Sequence, residues 1–320
     1  MALSLRRGSV TAVSERHEGL ARIDVDGEPC VAYPRLTGPV ALGDEVVVNT
    51  QARELALGSG GFDVLYANLT RGLDLGPDRN AHVMQLPYTP VQAAAHHAEE
   101  EGQSGGDLDG MPVVCCSVHG QVAPVAAALV GLRVAYVQLG GGALPVPLSD
   151  TVRLLKGCGL IAFTVAVAPC FGGDLDCVTP WSALLQVGGK RADVAVCAIG
   201  PGIVGTATDF GHGGMAAAIA ANAATVLGGR PVVALRVSEA DRRDRHRGIS
   251  HHTAAVLHAC LGDVTVAGEG DGEGWREACD GLPLSHMGRG PDEDPAFFEF
   301  AYAAGRAARA LVREVESARS

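Results

Sequence analysis

The spacing of hydrophobic positions changes twice along the chain. Over residues 8–70, apolar and polar side chains alternate in the two-residue rhythm of half-buried strands, in SVTAV, LARIDVDG, EPCVAYP, DEVVVNT and GFDVLYANL. Turn chemistry separates these runs: Asp26-Gly27 is a hairpin signal, and Thr37-Gly38-Pro39 and Gly43-Asp44 break the next pair apart. Short strands joined so tightly predict a small antiparallel β-barrel, OB-like or SH3-like, over 1–70. Residues 71–110 read as a connecting segment. It holds a helix, VQAAAHHAEEEG, whose adjacent His96 and His97 are expected on the surface, and a Gly-rich linker, GQSGGDLDG.

From residue 111 the alternation gives way to continuous apolar runs. MPVVCCSV, RVAYVQL, IAFTVAVA, ADVAVCAI and PVVALRVS are each followed by a polar or Gly-rich loop and then a helical stretch. Strands apolar on both faces and separated by helices predict a parallel sheet with right-handed crossovers. The fold class is therefore α/β, a Rossmann-like three-layer domain over 111–320 behind the N-terminal barrel. DVTVAG at 263–268 is a candidate sixth strand, 269–295 reads as surface loop, and an amphipathic helix after Asp294 closes the chain. Loops that follow the strands are long and those that precede them short, so chemistry is expected at the carboxyl edge of the sheet.

Composition narrows the classes of function. A net charge of -11 and only 4% aromatic residues leave RRDRHR at 242–247 as the sole basic run, so nucleic acid is not an expected partner. The nine cysteines show no CxxC spacing and several lie in apolar runs (Cys115, Cys116, Cys197, Cys260), as buried thiols of a reducing compartment do. No run reaches the ~18 apolar residues of a spanning helix. The expectation is a cytoplasmic protein without a membrane partner, for which a homo-oligomer is one arrangement.

Three loops carry candidate chemistry. Gly200-Pro201-Gly202-Ile203-Val204-Gly205 ends a strand in a literal GxGxxG, so Gly202, Gly205 and Thr206 are candidate ligand-binding residues. A classical dinucleotide site is disfavoured, because Thr206 to Gly214 is polar and starts no helix. The expected acidic residue is also displaced to Ser238-Glu239. An anion-binding turn and a purely structural turn stay open. The second loop, Asp241 to Thr253, is the densest in catalytic residue types. Arg245 and Arg247 could clamp a phosphate or carboxylate, and Ser250 as N-cap would place His251 and His252 in the first turn of a helix. There a neutral imidazole serves as general base or metal ligand. The alternative is a solvated loop whose Asp and Arg pair among themselves. In the third loop, Asp174 and Asp176 could join His251, His252, His212 or His119 around a divalent metal, or Asp174 could be a helix cap. His119 and Ser149-Asp150 are lesser candidates of the same kind. A GxSxG elbow is absent, and Cys170 has no evident role.

The segments DGMPVV, HGQ, GGALPVPLSDTV, FGGDLD, ADVAV with GPGIVGT, and RHRGISHHT together resemble the bacterial domain-of-unknown-function family 3866. AYPRLTGPVALGD, VNTQARELALGSGG and ANLTRG extend the likeness over nearly the whole chain. The resemblance implies no activity, and it leaves the choice between catalysis and binding open. The residues point to an enzyme or binder acting on a small anionic ligand, phosphorylated or carboxylated, at the carboxyl edge of the sheet. His251 would be its acid or base, His252 would stand beside it, and Asp174 would orient His251 or hold a metal. Apart from a divalent metal (candidates Asp174, Asp176 and His251), no cofactor is indicated. The competing reading is a non-catalytic interaction or ligand-sensing protein that uses the barrel to bind a partner.

Overall fold

The computed structural model describes residues 2–56, 60–76, 78–102 and 105–319, so Gln103 and Ser104 of the expected linker lie outside the described residues. The chain divides into two compact units, 1–95 and 96–320. In the first, β1 (Leu5–His17), β2 (Leu20–Val25), β3 (Glu28–Ala32), β4 (Glu45–Asn49) and β5 (Asp63–Asn68) close a barrel in the order β1-β2-β3-β5-β4. The long β1 pairs with β2 through one part of its length and with β4 through another, which closes the ring. Asp26 and Gly27 both take positive φ, 53° and 83°, as the expected tight hairpin requires. The inward residues Val10, Ile23, Val25, Val46, Val48 and Leu65 fill the centre.

The barrel is mixed, not purely antiparallel as expected: β3 and β5 run parallel. With β4 lying between them in sequence, β5 returns in the direction of β3. The expected helix over 91–102 is also replaced. Ala93–Ala95 pairs as a strand with Val83–Gln85, and Ala98–Glu101 makes a single 3-10 turn. His97 stands extended ahead of that turn, its N–H donated to Glu100 Oε1 at 2.8 Å, and Gly102 at φ 108° ends it. His97 is accordingly buried, contrary to the surface position expected for it.

The second unit holds a six-stranded sheet of β6 (Pro112–Cys116), β7 (Val134–Leu139), β8 (Phe163–Val167), β9 (Leu175–Cys177), β10 (Val194–Ile199) and β11 (Arg230–Ala234). Its order is β9-β8-β7-β10-β6-β11, and every pairing is parallel. Successive side chains go to opposite layers. Val113, Cys115, Val137, Cys197 and Val233 pack toward α3 (Pro180–Gly189) and α4 (Ala216–Val226), with Val256 of α5 (His251–Ala259). Val114, Cys116, Tyr136, Val196 and Val232 pack toward α1 (Val122–Ala128), α2 (Asp150–Gly157) and α6 (Pro295–Arg319). Burial on both faces is why these strands read as unbroken apolar runs.

Two expectations change here. The sixth strand is β9, not DVTVAG, where Thr265 makes one isolated bridge to Val232. Residues 269–295 are not all surface loop, since Trp275–Ala278 forms a helical turn and buried Trp275 stacks on Phe298 with ring centroids 6.0 Å apart.

At the carboxyl edge the loops after β7 and β10 lie backbone against backbone. A Cβ on Gly142 would stand 2.2 Å from the Gly200 carbonyl oxygen, one on Gly200 2.0 Å from that of Ala143, and one on Gly213 1.9 Å from that of Gly141. His119 ties the same loops to β6: Nδ1 donates to the Ile199 carbonyl at 3.1 Å, so Nε2 accepts from Ser149 Oγ at 2.7 Å. Ser149 in turn caps α2 through the Val152 N–H. Gly200→Ala is expected to lower unfolding stability by about 1–3 kcal/mol through overpacking. Gly157→Ala, at a helix position where the added Cβ meets nothing within 4 Å, should not lower stability and should raise it by up to about 1 kcal/mol in the same urea titration.

Candidate functional site

Beyond β11 the chain continues through Leu235 into Arg236, the largest fully buried side chain of the protein's described residues. Its N–H donates to Thr253 Oγ1 at 2.9 Å and its carbonyl accepts from the Ser250 N–H at 2.9 Å. Val237–Ser238 pairs antiparallel with Gly248–Ile249. The charged loop is therefore a small ribbon whose return strand delivers Ser250 to the end of β11. Ser250 Oγ accepts the His252 N–H at 3.2 Å and caps α5, as its sequence position predicts. The same oxygen lies 2.7 Å from His246 Nδ1.

This cap gathers four histidines from two loops. His212, at the end of the loop after β10, stacks on His252 with centroids 3.7 Å apart. His251 lies 4.4 Å from His252 and 4.8 Å from His246 by the same measure. His212, His246 and His252 are buried, while the His251 side chain retains 14% exposure. His251 Nδ1 stands 3.8 Å from Asp209 Oδ1, and its Nε2 is buried without a hydrogen-bond partner. Arg236 Nη1 donates to His252 Nδ1 at 3.0 Å. A guanidinium has no acceptor, so the neutral His252 ring carries its proton on Nε2.

Behind the imidazoles runs a charged network. Asp241 accepts a fork from Arg243 Nε and Nη2 at 2.9 and 2.8 Å and also receives Arg289 at 3.4 Å. Its Oδ2 is 3.6 Å from Arg236 Nη2, an ion contact too long for a hydrogen bond. Arg289 continues to buried Asp294, which holds Ser238 Oγ at 2.6 Å. The Arg243 fork holds the Asp241 carboxyl well below the usual range, and burial lowers Arg236 to about 10, so both stay charged at neutral pH. Burial, reinforced by these cations, pushes every imidazole of the cluster down. His246 falls to about 3 and His252 to about 2, and His251, beside the Arg245 cation, is lowered too. The cluster is a set of neutral imidazoles that can accept protons, donate them or coordinate a metal.

The residues expected to act together are divided by the sheet. Ser250, His251 and His252 are consecutive at the start of α5, the Arg245 charge bears on His251, and Arg247 is exposed just before the return strand of the ribbon. Asp174 lies elsewhere. Register places it level with Thr164 at the amino end of β8, where it accepts from the Thr164 N–H at 2.8 Å and pairs with Lys156. Asp176 accepts from the N–H groups of Gly172 and Gly173 and shapes its own loop. Neither carboxylate is beside His251, because the FGGD loop folds back along β8 instead of staying at the carboxyl edge. Asp174 is not a helix cap either: Thr179 caps α3. His119 is committed to Ile199 and Ser149, as described. Thr206 Oγ1 donates to the Gly211 carbonyl at 3.1 Å within its own turn, and a Cβ on Gly205 would meet His212 Cβ at 2.7 Å. Gly202 turns the chain at φ 74°.

Sequence reasoning passed over Arg236 and gave His246 no role of its own. The available signal for Arg236 was a lone charge between Leu235 and Val237 in an apolar run, and for His246 its spacing of four from the capping Ser250. Of the nine cysteines, all free, Cys115, Cys116 and Cys197 are buried as expected and Cys260 is half-buried. No helix among the described residues is long and apolar enough to cross a membrane. A sequence family described as a protein of unknown function (DUF3866) matches residues 29–270, well over half of the chain. No curated protein matches the sequence.

The lowered imidazoles set a pH dependence. Because the folded pKa lies below the unfolded value of 6.5, protonation favours the unfolded chain. Stability is full above pH 6.5 and is lost as pH falls toward the folded values. Each such group contributes about 1.4 kcal/mol per pH unit in that window. His286, buried, stacked on Phe297 at 3.7 Å and lowered to about 3, belongs to the same set. Urea titrations between pH 6.5 and 5 should show a steep fall in unfolding free energy, and His286→Phe should flatten it by about one proton. A flat wild-type profile would mean that these rings are charged or exposed.

Proposed function

Because the chain belongs to the DUF3866 family, whose description assigns no function, we propose from its own geometry that it binds a small anionic ligand, phosphorylated or carboxylated, beside the histidine cluster at the carboxyl edge of the sheet. The observation that carries this reading is His251. It is neutral and slightly open to solvent, its buried Nε2 has no partner, and the Arg245 cation acts on it directly. Arg243 is taken up by Asp241, whereas the exposed side chains of Arg245 and Arg247 make no hydrogen bond or ion pair among the described residues and are free to form forks with an oxyanion. His251 then serves as the proton acceptor or donor for the bound group. Asp209, near Nδ1, takes the orienting part foreseen for Asp174. Gly202, Gly205 and Thr206 shape the neighbouring wall, and Ser250 and His252 hold His251 in place.

Thermal unfolding in the presence of inorganic phosphate, nucleotides, sugar phosphates and dicarboxylates tests the reading, since a ligand that binds only the folded chain raises Tm. At least one of these anions should stabilise the wild type, and Arg245→Ala/Arg247→Ala should weaken its affinity at least about tenfold, the loss of one charged hydrogen bond or more. His251→Asn should retain binding. Absence of a shift with every anion at millimolar concentration would overturn the proposal.

A further inference from the structure

We propose that His246, His251 and His252 form a site for one divalent transition-metal ion of the zinc type. One ring nitrogen from each lies within 4.8 Å of the others. Tetrahedral coordination with metal–nitrogen bonds of about 2.0–2.1 Å brings ligand nitrogens to roughly 3.4 Å, so the rings close on the ion by side-chain adjustment of about an ångström. All three donors are imidazoles, which suit zinc, cobalt, nickel or copper and not magnesium or calcium, whose ligands are oxygens. The surroundings match the outer shell of such a centre. Ser250 Oγ sits 2.7 Å from His246 Nδ1, which turns the opposite nitrogen inward, and Asp209 Oδ1 lies 3.8 Å from His251 Nδ1, an ion contact too long for a hydrogen bond. The buried His251 Nε2, which has no hydrogen-bond partner, would give its lone pair to the ion.

The features that oppose a cation define what binding must change, and they include the Arg243 and Arg245 charges that bear on His246 and His251. The N-terminus of α5 carries the positive end of its dipole, a modest term beside three direct nitrogen bonds. Arg236 is the larger obstacle. Its donation to His252 Nδ1 keeps the His252 proton on Nε2, so ligation through Nε2 requires that hydrogen bond to be given up. Asp241 Oδ2, already 3.6 Å from Arg236 Nη2, is the acceptor to which the guanidinium moves. Metal binding thereby exchanges an Arg236–His252 bond for an Arg236–Asp241 bond.

The metal site does not depend on the anion reading, and the experiment keeps them apart by titrating the full-length, chelator-treated protein with zinc or cobalt alone in a non-coordinating buffer. One ion per chain should bind at micromolar affinity or tighter. The cobalt complex should show tetrahedral ligand-field bands and no thiolate-to-cobalt charge transfer, which excludes the cysteines as ligands. His251→Ala, at the more open side of the cluster, should lose at least a hundredfold in affinity, and Ser250→Ala should lose about tenfold. His17→Ala, in the other unit, should change nothing. Stoichiometric binding absent in the folded wild type, a thiolate signature, or affinity unchanged in folded His251→Ala would each overturn the proposal. Should His251→Ala fail to fold, the wild-type cobalt spectrum still decides it.

Discussion

A positive charge with no access to water sits at the end of β11, and much of the second unit's carboxyl edge is arranged around it. Burying Arg236 costs several kcal/mol in lost hydration, which is offset only if partners surround it. Its backbone is held by Thr253 and Ser250, its Nη1 by His252, and its charge is faced by Asp241. Asp241 is shared with Arg243 and Arg289, and Arg289 passes the chain of ion pairs to Asp294 at the start of α6. The network satisfies Arg236 only in part: its Nε and Nη2 are buried without a hydrogen-bond partner, and Asp241 faces Nη2 as a charge at 3.6 Å. The histidines depend on it: Arg236 sets the tautomer of His252, and the surrounding cations help to keep the rings neutral.

The glycines contribute differently from what their spacing suggests. GPGIVG has the outline of a phosphate-binding turn, yet its first glycine is needed because the loop after β7 presses backbone against it. That contact closes the gap between β7 and β10, neighbours in the sheet whose following loops depart in opposite directions, the place where open α/β sheets usually take a ligand. With that position filled by main chain and pinned by His119, the polar chemistry lies one step along the edge, where His212 meets the ribbon after β11.

The legible part of the fold was what hydrophobic spacing encodes. Strands covered on both faces give runs such as VAVCAI and RPVVA, and half-buried barrel strands give alternation, so the barrel and the parallel sheet could be read directly, and Ser250 was visible as a helix cap. Strand neighbours could not, because spacing reports how a strand is covered and not what it pairs with. The parallel β3–β5 contact and β9, three residues long with Asp176 at its middle, therefore carried no signal. For the site, RHRGISHHT was visible as a concentration of reactive types. Asp174 was misplaced by a sound rule applied to an unusual loop, for the chain after β8 returns along that strand before continuing. Arg236 was hidden by its apolar neighbours.

The claim on which the site depends is that its four imidazoles are neutral at pH 7 and that Arg236 holds His252 as the Nε2–H tautomer. Long-range proton–nitrogen NMR of the imidazole rings in metal-free protein measures both directly. Neutral rings are expected for His212, His246, His251 and His252, with the His252 proton on Nε2. An imidazolium signal from any of the four at pH 7, or a His252 proton on Nδ1, would contradict it.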